Sequence, residues 1–440
     1  MRTKAHLSPW APTLFLALGV YLLVFLAERF GLMTPYWYQV IQLAAITAIS
    51  SLGLNLIYGF NGQFSLGHIG FYAIGAYSSA LITKDLAANW SGTRIGPLAW
   101  MIAGQVGVLV VLFVARALRL GTVRARLAGG LANYLKPYEA GVLVLLVTLA
   151  LVSIALAAGV FAAWGLQKVL AAIFQVFLSL PQGIARSVVF LIALLTGGAL
   201  AALVAYLIGL PLLRLSSDYF GIATLGFSVM IYTALQNSDQ VIPTMKGARG
   251  MVGIPTWTTW TWVFGALFIV VFIMRQLVHS SYGRAIISVR EDEIAAKTMG
   301  IDVAQLKATA FAMGGFFAGI AGGLYAHLFG FLHPSTFNFI KGFDPLIIVV
   351  FGGLGSMTGT ILASAIFALL IEGLRVLLPR GFEDWRFVIY PIILLLIMLL
   401  RQQGLLGTTE WGWLRAPLPP ERDIPTPDRA AQARVEEQEA

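Results

Sequence analysis

The sequence predicts an all-α polytopic membrane protein with about twelve transmembrane helices. Three observations carry that prediction. The chain has 440 residues, of which 58% are hydrophobic and only 11% charged. Its apolar residues gather into repeated runs of about 17–25, the length that crosses a bilayer as a helix. Its 29 Lys and Arg outnumber its 20 Asp and Glu, and they concentrate in a few loops, as cytoplasmic loops of membrane proteins do, rather than marking a nucleic-acid binder. A soluble α/β chain of this size would show short apolar runs broken by amphipathic helices. No cysteine is present, which excludes disulfides, thiolate chemistry and Cys-type metal sites.

The N-terminal "MRTKAHLSPW" places Arg2 and Lys4 before an apolar run. Glu28, Arg29 and Phe30 follow that run without a small-x-small cleavage site, so it reads as a retained first span. With the N-terminus cytoplasmic, crossings are expected at 11–29, 36–58, 63–83, 98–115, 140–163, 186–212, 219–236, 257–278, 307–329, 342–355, 357–378 and 386–402. The number is even, so both termini are expected in the cytoplasm.

Three loops agree with this sidedness. Arg116, Arg119, Arg124, Arg126 and Lys136 fall inside, as do Arg275, Arg284, Arg290, Lys297 and Lys307, whereas the loop 235–258 has only Lys246 and Arg249 and falls outside. The glycine-rich crossings 63–83 and 342–355 read as broken or re-entrant, and 167–181 as a loop or an interfacial helix.

The expected organisation is an N-terminal segment with the first span (1–35), a core containing a Gly-rich broken helix (36–97), a second membrane region (98–204), and further core with an external loop (205–278). A charged cytoplasmic loop (279–306), the remaining core (307–403) and a disordered, Pro-rich then charged cytoplasmic tail (404–440) complete it. Small residues four apart mark helices that pack closely. Gly315, Gly319 and Gly323 form one such stripe, with Ala318, Gly322 and Ala326 beside it, and Gly355, Gly359 and Ala363 form another.

Nothing reads as catalytic. No G-x-x-x-x-G-K-[ST] or H-E-x-x-H occurs and the five histidines do not cluster at metal-ligand spacing. Any ATP must be bound by another chain. The loop "SSYGRAIISVREDEIAAKTMGIDVAQLKATA" predicts a short helix from Glu291 to Met299, with Glu291, Asp292 and Glu293 in its first turn and Gly300 at its end. Ile294, Ala295, Thr298 and Met299 give it a small apolar face, and Asp302 is placed to cap the next span. Asp218 is likewise expected to cap the span that starts at Tyr219, and Glu372 and Arg375 to pair near the outer end of their helix.

The stretch "GFNGQFSLGHIGFYAIGAY" sets Asn61, Gln63, Ser65 and His68 among glycines within an apolar region. Irregular backbone at membrane depth is tolerated only where protein or water covers it. Two readings stand: a hinge lining a translocation pathway, or a buried turn whose side chains bond backbone. No carboxylate lies at helical spacing from His68, which favours a structural role for it, and Gly75, Ala76, Ser79 and Ala80 are expected to pack on a neighbour.

Five ordered blocks resemble a known family. "REDEIAAKTMGI" is similar to the cytoplasmic coupling segment of permease subunits of branched-chain amino acid ABC importers, the LivM/LivH type. The Gly59–Tyr77 stretch resembles that family's "G-x-x-G-Q-x-S-L-G-H" signature, and "LPLLRLSSDYFGIATLGFS", "KGFDPLIIVVFGGLGSMTGT" and "WRFVIYPIILLLIMLLRQQGLLG" match further blocks, closer to the LivM branch.

The resemblance implies a type II-like ABC importer permease in a bacterial inner membrane, moving amino acids, most of all leucine, isoleucine and valine, by alternating access. It implies four partners: a second, LivH-like permease subunit, two cytoplasmic ATPase subunits that bind ATP and Mg, and a periplasmic substrate-binding protein. This chain would bind no cofactor itself. Arg290, Glu291, Asp292, Glu293, Ile294, Ala295, Ala296 and Gly300 would form the coupling helix, and Gly247, Gly250, Gly253 and Pro255 the external docking loop.

Two departures stand out. Over a hundred residues separate Pro97 from Pro211, which the resemblance implies to be an insertion of about two crossings in a family core of about ten, and Met245 and Lys246 stand where the family's Thr-Gly type start is expected. Relatives handling urea or short amides offer an alternative substrate. A stand-alone secondary transporter would need an ionisable coupling group near the midplane, and none is evident. A membrane scaffold or receptor would not need broken helices.

Overall fold

A computed structural model describes residues 11–88, 96–117, 137–178, 181–213, 215, 217–379, 385–401, 403–407, 410, 411 and 414. The expected crossings appear as helices: α1 (Ala11–Arg29), α2 (Pro35–Asn55), α3 (His68–Ala88), α4 (Gly96–Ala117), α5 (Pro137–Leu178), α6 (Gln182–Leu212), α7 (Ser217–Gln236) and α8 (Trp260–His279). After two short helices, α9 (Ser281–Glu291) and α10 (Glu293–Thr298), follow α11 (Val303–Phe329), α12 (Phe343–Gly352), α13 (Met357–Leu377) and α14 (Arg386–Leu400). Among the described residues eight helical stretches are long and apolar enough to cross a membrane. The protein is therefore a multi-pass α-helical membrane protein. The basic loop between α4 and α5 lies outside the described residues.

The bundle is built round α11, whose small residues let three neighbours approach it. Toward α2, a Cβ placed on Gly53 would stand 2.7 Å from the Gly314 carbonyl oxygen. Toward α3, a Cβ on Gly75 would overlap the Gly319 carbonyl, and one on Gly322 the Tyr72 carbonyl. Toward α6, Gly319 lies against Ala201 and Gly198, and Gly315 against Ala205. Lipid gives helices no hydrophobic reason to associate, so this close backbone packing supplies the dispersion contact that holds them.

The second expected stripe is corrected. Gly355 has φ +82 and lies in the turn before α13, whose N-cap is Ser356; Gly359, packed on the Gly352 backbone, and the buried Ala363 are helical.

Two membrane elements are broken, and they run in opposite senses. The basal end of the bundle is taken as the end holding residues 280–302. From there α2 turns through a π-helical segment (Leu56–Phe60) into an irregular stretch, 61–67, and α3 starts only at His68. His68 Nε2 bonds the Ser50 carbonyl at 2.8 Å, and Ser50 lies ten residues, or about 15 Å, back along α2 from Phe60. From the distal end, irregular chain containing short 3-10 turns descends over residues 330–342 before the ten-residue α12 begins. The two stretches meet where Gly342 packs on Ile69 and the Leu66 carbonyl.

Helices α4 and α5 form a hairpin, joined where Gly107 and Gly159 let the backbones touch. It reaches the core through Gln105 Nε2 donating to the Thr196 carbonyl (3.0 Å), Arg116 donating to the Tyr206 hydroxyl (3.0 Å), and Phe174 packing on Ile82, Val189 and Ala193. The separate loop or interfacial helix expected at 167–181 is corrected: α5 continues unbroken for 42 residues to Leu178. "LQKVLAAIFQVFL" holds good helix formers and no breaker, and Pro181 is the first stop.

The tail is corrected in part. Its described residues do not stand free: Leu405 N–H donates to the Phe351 carbonyl (2.8 Å), and Glu410 accepts from Met357 N (2.5 Å), Thr358 N (3.1 Å) and the Thr358 hydroxyl (2.5 Å). The Leu414 carbonyl lies 2.7 Å from His279 Nε2. Glu410 thereby satisfies the free amides at the start of α13, which Pro-rich composition could not reveal. Residues 415–440 lie outside those described.

Candidate functional site

The basal break begins with Asn55, a fully buried amide late in α2. Its Nδ2 donates to the Ser356 carbonyl and the Thr360 hydroxyl, both at 2.9 Å, and its Oδ1 accepts from Gly355 N at 3.0 Å. One side chain thus clamps the turn that ends α12 to the helix leading into the first break. One turn further, the Gly59 backbone lies against Gly355 N. A π-helical turn is wider than an α turn and loosens the i→i+4 ladder, and the Gly59 carbonyl turns to an outside donor, Arg290 Nη1, at 2.6 Å.

The same guanidinium donates from Nε and Nη2 to Glu291 Oε1 at 3.0 and 2.5 Å. Gly62, at φ +73, leaves room for it: a Cβ there would stand 2.9 Å from Arg290 Cγ.

The sequence-predicted helix Glu291–Met299 is corrected to two helices. Ser280 caps α9 by accepting from Gly283 N (3.1 Å), and α9 buries Ile286 and Val289. Asp292 then turns extended, with φ −154, and caps α10 by accepting from Ile294 N (2.8 Å) and Ala295 N (2.9 Å). Its carboxylate serves a helix start, so it breaks the helix that the sequence run suggested.

Glu293 pairs with Lys307 at 2.6 Å and Lys297 at 3.0 Å. Those hydrogen bonds, to Lys307 first and then Lys297, hold its carboxyl below its ordinary value against the opposing effect of burial. Gly300, at φ +83, ends α10, with Ile301 N reaching the Ala296 carbonyl at 3.2 Å. Asp302 caps α11 through Gln305 N at 3.1 Å, as the sequence predicts.

The predicted coupling residues therefore divide. Ile294, Ala295, Thr298 and Met299 are exposed, Ile294 at 76% and Met299 at 81%, and Glu291, Asp292 and Gly300 join them at the surface. Ala296 is buried, and Arg290 turns inward to the broken helix.

The predicted pathway residues are all buried: Asn61 at 2%, Gln63 at 6%, Ser65 at 1% and His68 at 1%. Ser65 Oγ accepts from Gly67 N, while both amide atoms of Asn61, Gln63 Oε1 and His68 Nδ1 have no hydrogen-bond partner. None of the four lines the open cavity between α2, α12 and α13.

Asp218 is the second residue of α7, not its cap, because the helix begins at Ser217; its side chain lies outside the described residues. Glu372 pairs with Arg375 at 3.6 Å and also accepts from the Tyr36 hydroxyl at 2.6 Å.

At the distal end, Gly247, Gly250 and Gly253 all take positive φ, and Pro255 is half-buried. The loop is stapled to the end of α11 by a two-residue antiparallel ladder, β1 (Met251–Val252) with β2 (Phe331–Leu332), and by Ile254 N donating to the Gly330 carbonyl at 3.2 Å. Lys246, at φ +59, occupies a left-handed position that glycine fills without strain, which is what the departure at Met245–Lys246 means physically. Asn55 and Glu410 were not legible as site residues, since their partners lie 301 and 53 positions away. An amide inside an otherwise apolar run was the available signal for Asn55.

A bundle of membrane helices with two oppositely directed broken elements, tied through one arginine to a surface loop, is the architecture of a transport permease. The chain belongs to the family described as "Branched-chain amino acid transport system / permease component", which it matches over residues 36–153 and 140–399. It is 31% identical over 246 residues to the high-affinity branched-chain amino acid transport system permease protein LivM of Escherichia coli K12, covering 48% of this chain and 56% of that one. Over 241 residues it is 24% identical to the probable LivM of Methanocaldococcus jannaschii, covering 50% of this chain and 68% of the relative. Over 203 residues it is 25% identical to the LivH permease of Escherichia coli K12, covering 43% and 64%. The match spans little more than half, 56%, of the Escherichia coli LivM relative. No solved structure matches.

Proposed function

We propose that this protein is the LivM-like permease subunit of an ATP-driven importer of amino acids, with leucine, isoleucine and valine as the foremost substrates. The observation that carries the reading is the Arg290–Gly59 bond within a chain of this family. It joins a capped surface loop to a broken membrane helix, the rigid contact that a partner's motion needs in order to bias a pathway. The exposed Ile294–Met299 tip would enter a groove on one of two ATPase subunits, which bind ATP and Mg; the permease binds neither and is not itself an enzyme. A LivH-like chain would complete the membrane pair, and a periplasmic binding protein would deliver solute to the loop around Gly247, Gly250, Gly253 and Pro255.

In this reading the basal end faces the cytoplasm of a cell with an inner membrane, and the charged 279–306 loop agrees with the positive-inside rule. Asn61, Gln63, Ser65 and His68 act as the hinge of the pathway. Their unpartnered polar atoms are groups that another arrangement of the same break would satisfy. The test is reconstitution of the complete complex in proteoliposomes. Uptake of leucine that requires internal ATP and loaded binding protein supports the reading, and uptake driven by an ion gradient without ATPase subunits overturns it in favour of a secondary transporter. Uptake of urea with no uptake of leucine would move the substrate, not the class.

A further inference from the structure

An open cavity of about 210 Å³ lies in the distal half of the membrane region, between α2, α3, the end of α11, α12 and α13. It has room for roughly seven water molecules at about 30 Å³ each, the bulk of a small amino acid and not of a peptide. Its wall combines two kinds of surface. Leu43, Phe367 and Ile371 make an apolar side, and Lys341, Asp344 and Glu372 bring opposite charges to the other.

Ionisable groups inside a membrane are expensive and face water or the bundle interior. These are paired loosely, Lys341 with Asp344 at 3.4 Å and Glu372 with Arg375 at 3.6 Å, while the Asp344 and Glu372 side chains are only 22% and 19% exposed. Counted with Arg375, which pairs Glu372 from outside the lining, the formal charges cancel, so a solute carrying net charge would unbalance the cavity and a zwitterion would not.

The geometry adds direction. Lys341 stands just before the first turn of α12, the positive end of that helix's dipole. Asp344 lies on that turn, and Glu372 faces the same cavity from α13.

We propose that this cavity binds an α-amino acid as its zwitterion. The solute carboxylate takes Lys341, its ammonium takes Asp344 and Glu372, and an aliphatic side chain lies on Leu43, Phe367 and Ile371. The solute opens the Lys341–Asp344 pair and brings one charge of each sign in its place, which conserves the net charge. The site rests on the permease reading for its choice of solute, while its test is independent of transport.

The chain has no native cysteine, so single cysteines report on it cleanly. Thr336 lines the cavity, and Val241, 83% exposed, lies well outside it. In nanodiscs, Thr336→Cys is labelled with a maleimide in the absence and presence of L-leucine. Leucine is expected to slow labelling by at least about threefold, the factor 1 + [L]/Kd when it stands at twice its dissociation constant. Isocaproate, which lacks the ammonium, and isoamylamine, which lacks the carboxylate, are expected to leave the rate unchanged at the same concentration. Val241→Cys reacts equally throughout.

Adding Asp344→Asn or Lys341→Gln abolishes protection, and Glu372→Gln replaces either variant that does not elute as a single folded species. Equal protection by leucine and both half-analogues, no protection by leucine, or protection that survives these substitutions overturns the site. Loss of ATP-driven uptake with leucine protection intact would overturn the permease reading and leave the site standing.

Discussion

The Arg290 guanidinium donates to the Gly59 carbonyl at 2.6 Å although 231 residues separate them. A hydrogen bond from a charged donor is worth about 1.5–3 kcal/mol, or roughly ten- to a hundredfold in an equilibrium between a tied and a released loop. Arg290→Gln is therefore expected to leave the complex assembled and to cut ATP-driven uptake by at least about tenfold. Arg290→Lys does not rescue it, because one ammonium cannot span Gly59 and Glu291 as the guanidinium fork does. Uptake at the unaltered rate in both variants would sink the coupling role.

Gly75 and Gly373 should respond in opposite directions. A side chain on Gly75 overlaps the Gly319 backbone, whereas nothing stands within 4 Å of a Cβ on Gly373. Gly75→Val is expected to cost about 3 kcal/mol or to prevent folding. Gly373→Ala removes a helix-interior glycine and gains up to about 1 kcal/mol. Thermal unfolding in detergent distinguishes them, and equal shifts would contradict the packing described.

The Glu293 pair sets a pH dependence for the surface loop. Its folded carboxyl titrates below the ordinary value because Lys307 and then Lys297 bond it. The stabilisation is complete above about pH 4.3, the unfolded value, and fades as pH falls through the lower folded value. With its side chain 42% exposed, the contribution is at most about 1 kcal/mol. Hydrogen exchange of α10 amides should accelerate below that window in the native chain, and Glu293→Gln should remove the step. An unchanged profile in the variant would refute the assignment.

At the distal loop, Gly250 takes φ +79 and ψ 153, a region that only glycine enters readily. A Cβ there would also stand 2.8 Å from the Leu332 carbonyl oxygen. Gly250→Ala is expected to cost about 1–3 kcal/mol and to free the Met251–Leu332 ladder. Proteolysis within 245–255 would rise in the variant, and a resistant loop would show the ladder to be dispensable.

Glu410 is a half-buried carboxyl, and burial raises it above its ordinary value despite the Thr358 and Met357 donors that pull the other way. An acid whose folded value is raised gains stability as pH falls through that value, so docking of the tail tightens on acidification. Glu410→Ala should lose about 1 kcal/mol as the α13 amides go uncapped, and Glu410→Gln, which keeps one of the two accepting oxygens, should lose less. Equal loss in the two variants would refute the capping account.

The spans were legible because hydropathy is local: the expected 11–29, 186–212 and 357–378 fall within a few residues of α1, α6 and α13. The two broken elements were legible from their glycines. What makes them a junction was not, because Asn55, Ser356 and Gly355 meet across 301 and 300 residues of sequence. The capping carboxylates show the same limit. Asp302 serves the helix that follows it and was readable, while Glu410 serves a helix some fifty residues earlier in the chain and was not. Asp292 looked like first-turn charge in one helix, and only its extended backbone shows two helices meeting there.

The unbroken α5 also determines how the protein sits in lipid. Its long membrane stretch, Leu143–Phe174, has 32 residues, with Gln167 and Lys168 set into its last third, and only 17% of its most apolar window is covered by the rest of the chain. At 1.5 Å per residue the uncharged part before Gln167 is about 36 Å long, a little more than a hydrocarbon layer about 30 Å thick. A tilt above the typical 20° or so absorbs that excess. Lys168 then reaches the membrane surface, and the last turns of α5 lie along the interface or against another protein. The α4–α5 hairpin thus fixes the lipid boundary on its side of the bundle, and a membrane of different thickness would act on this helix first.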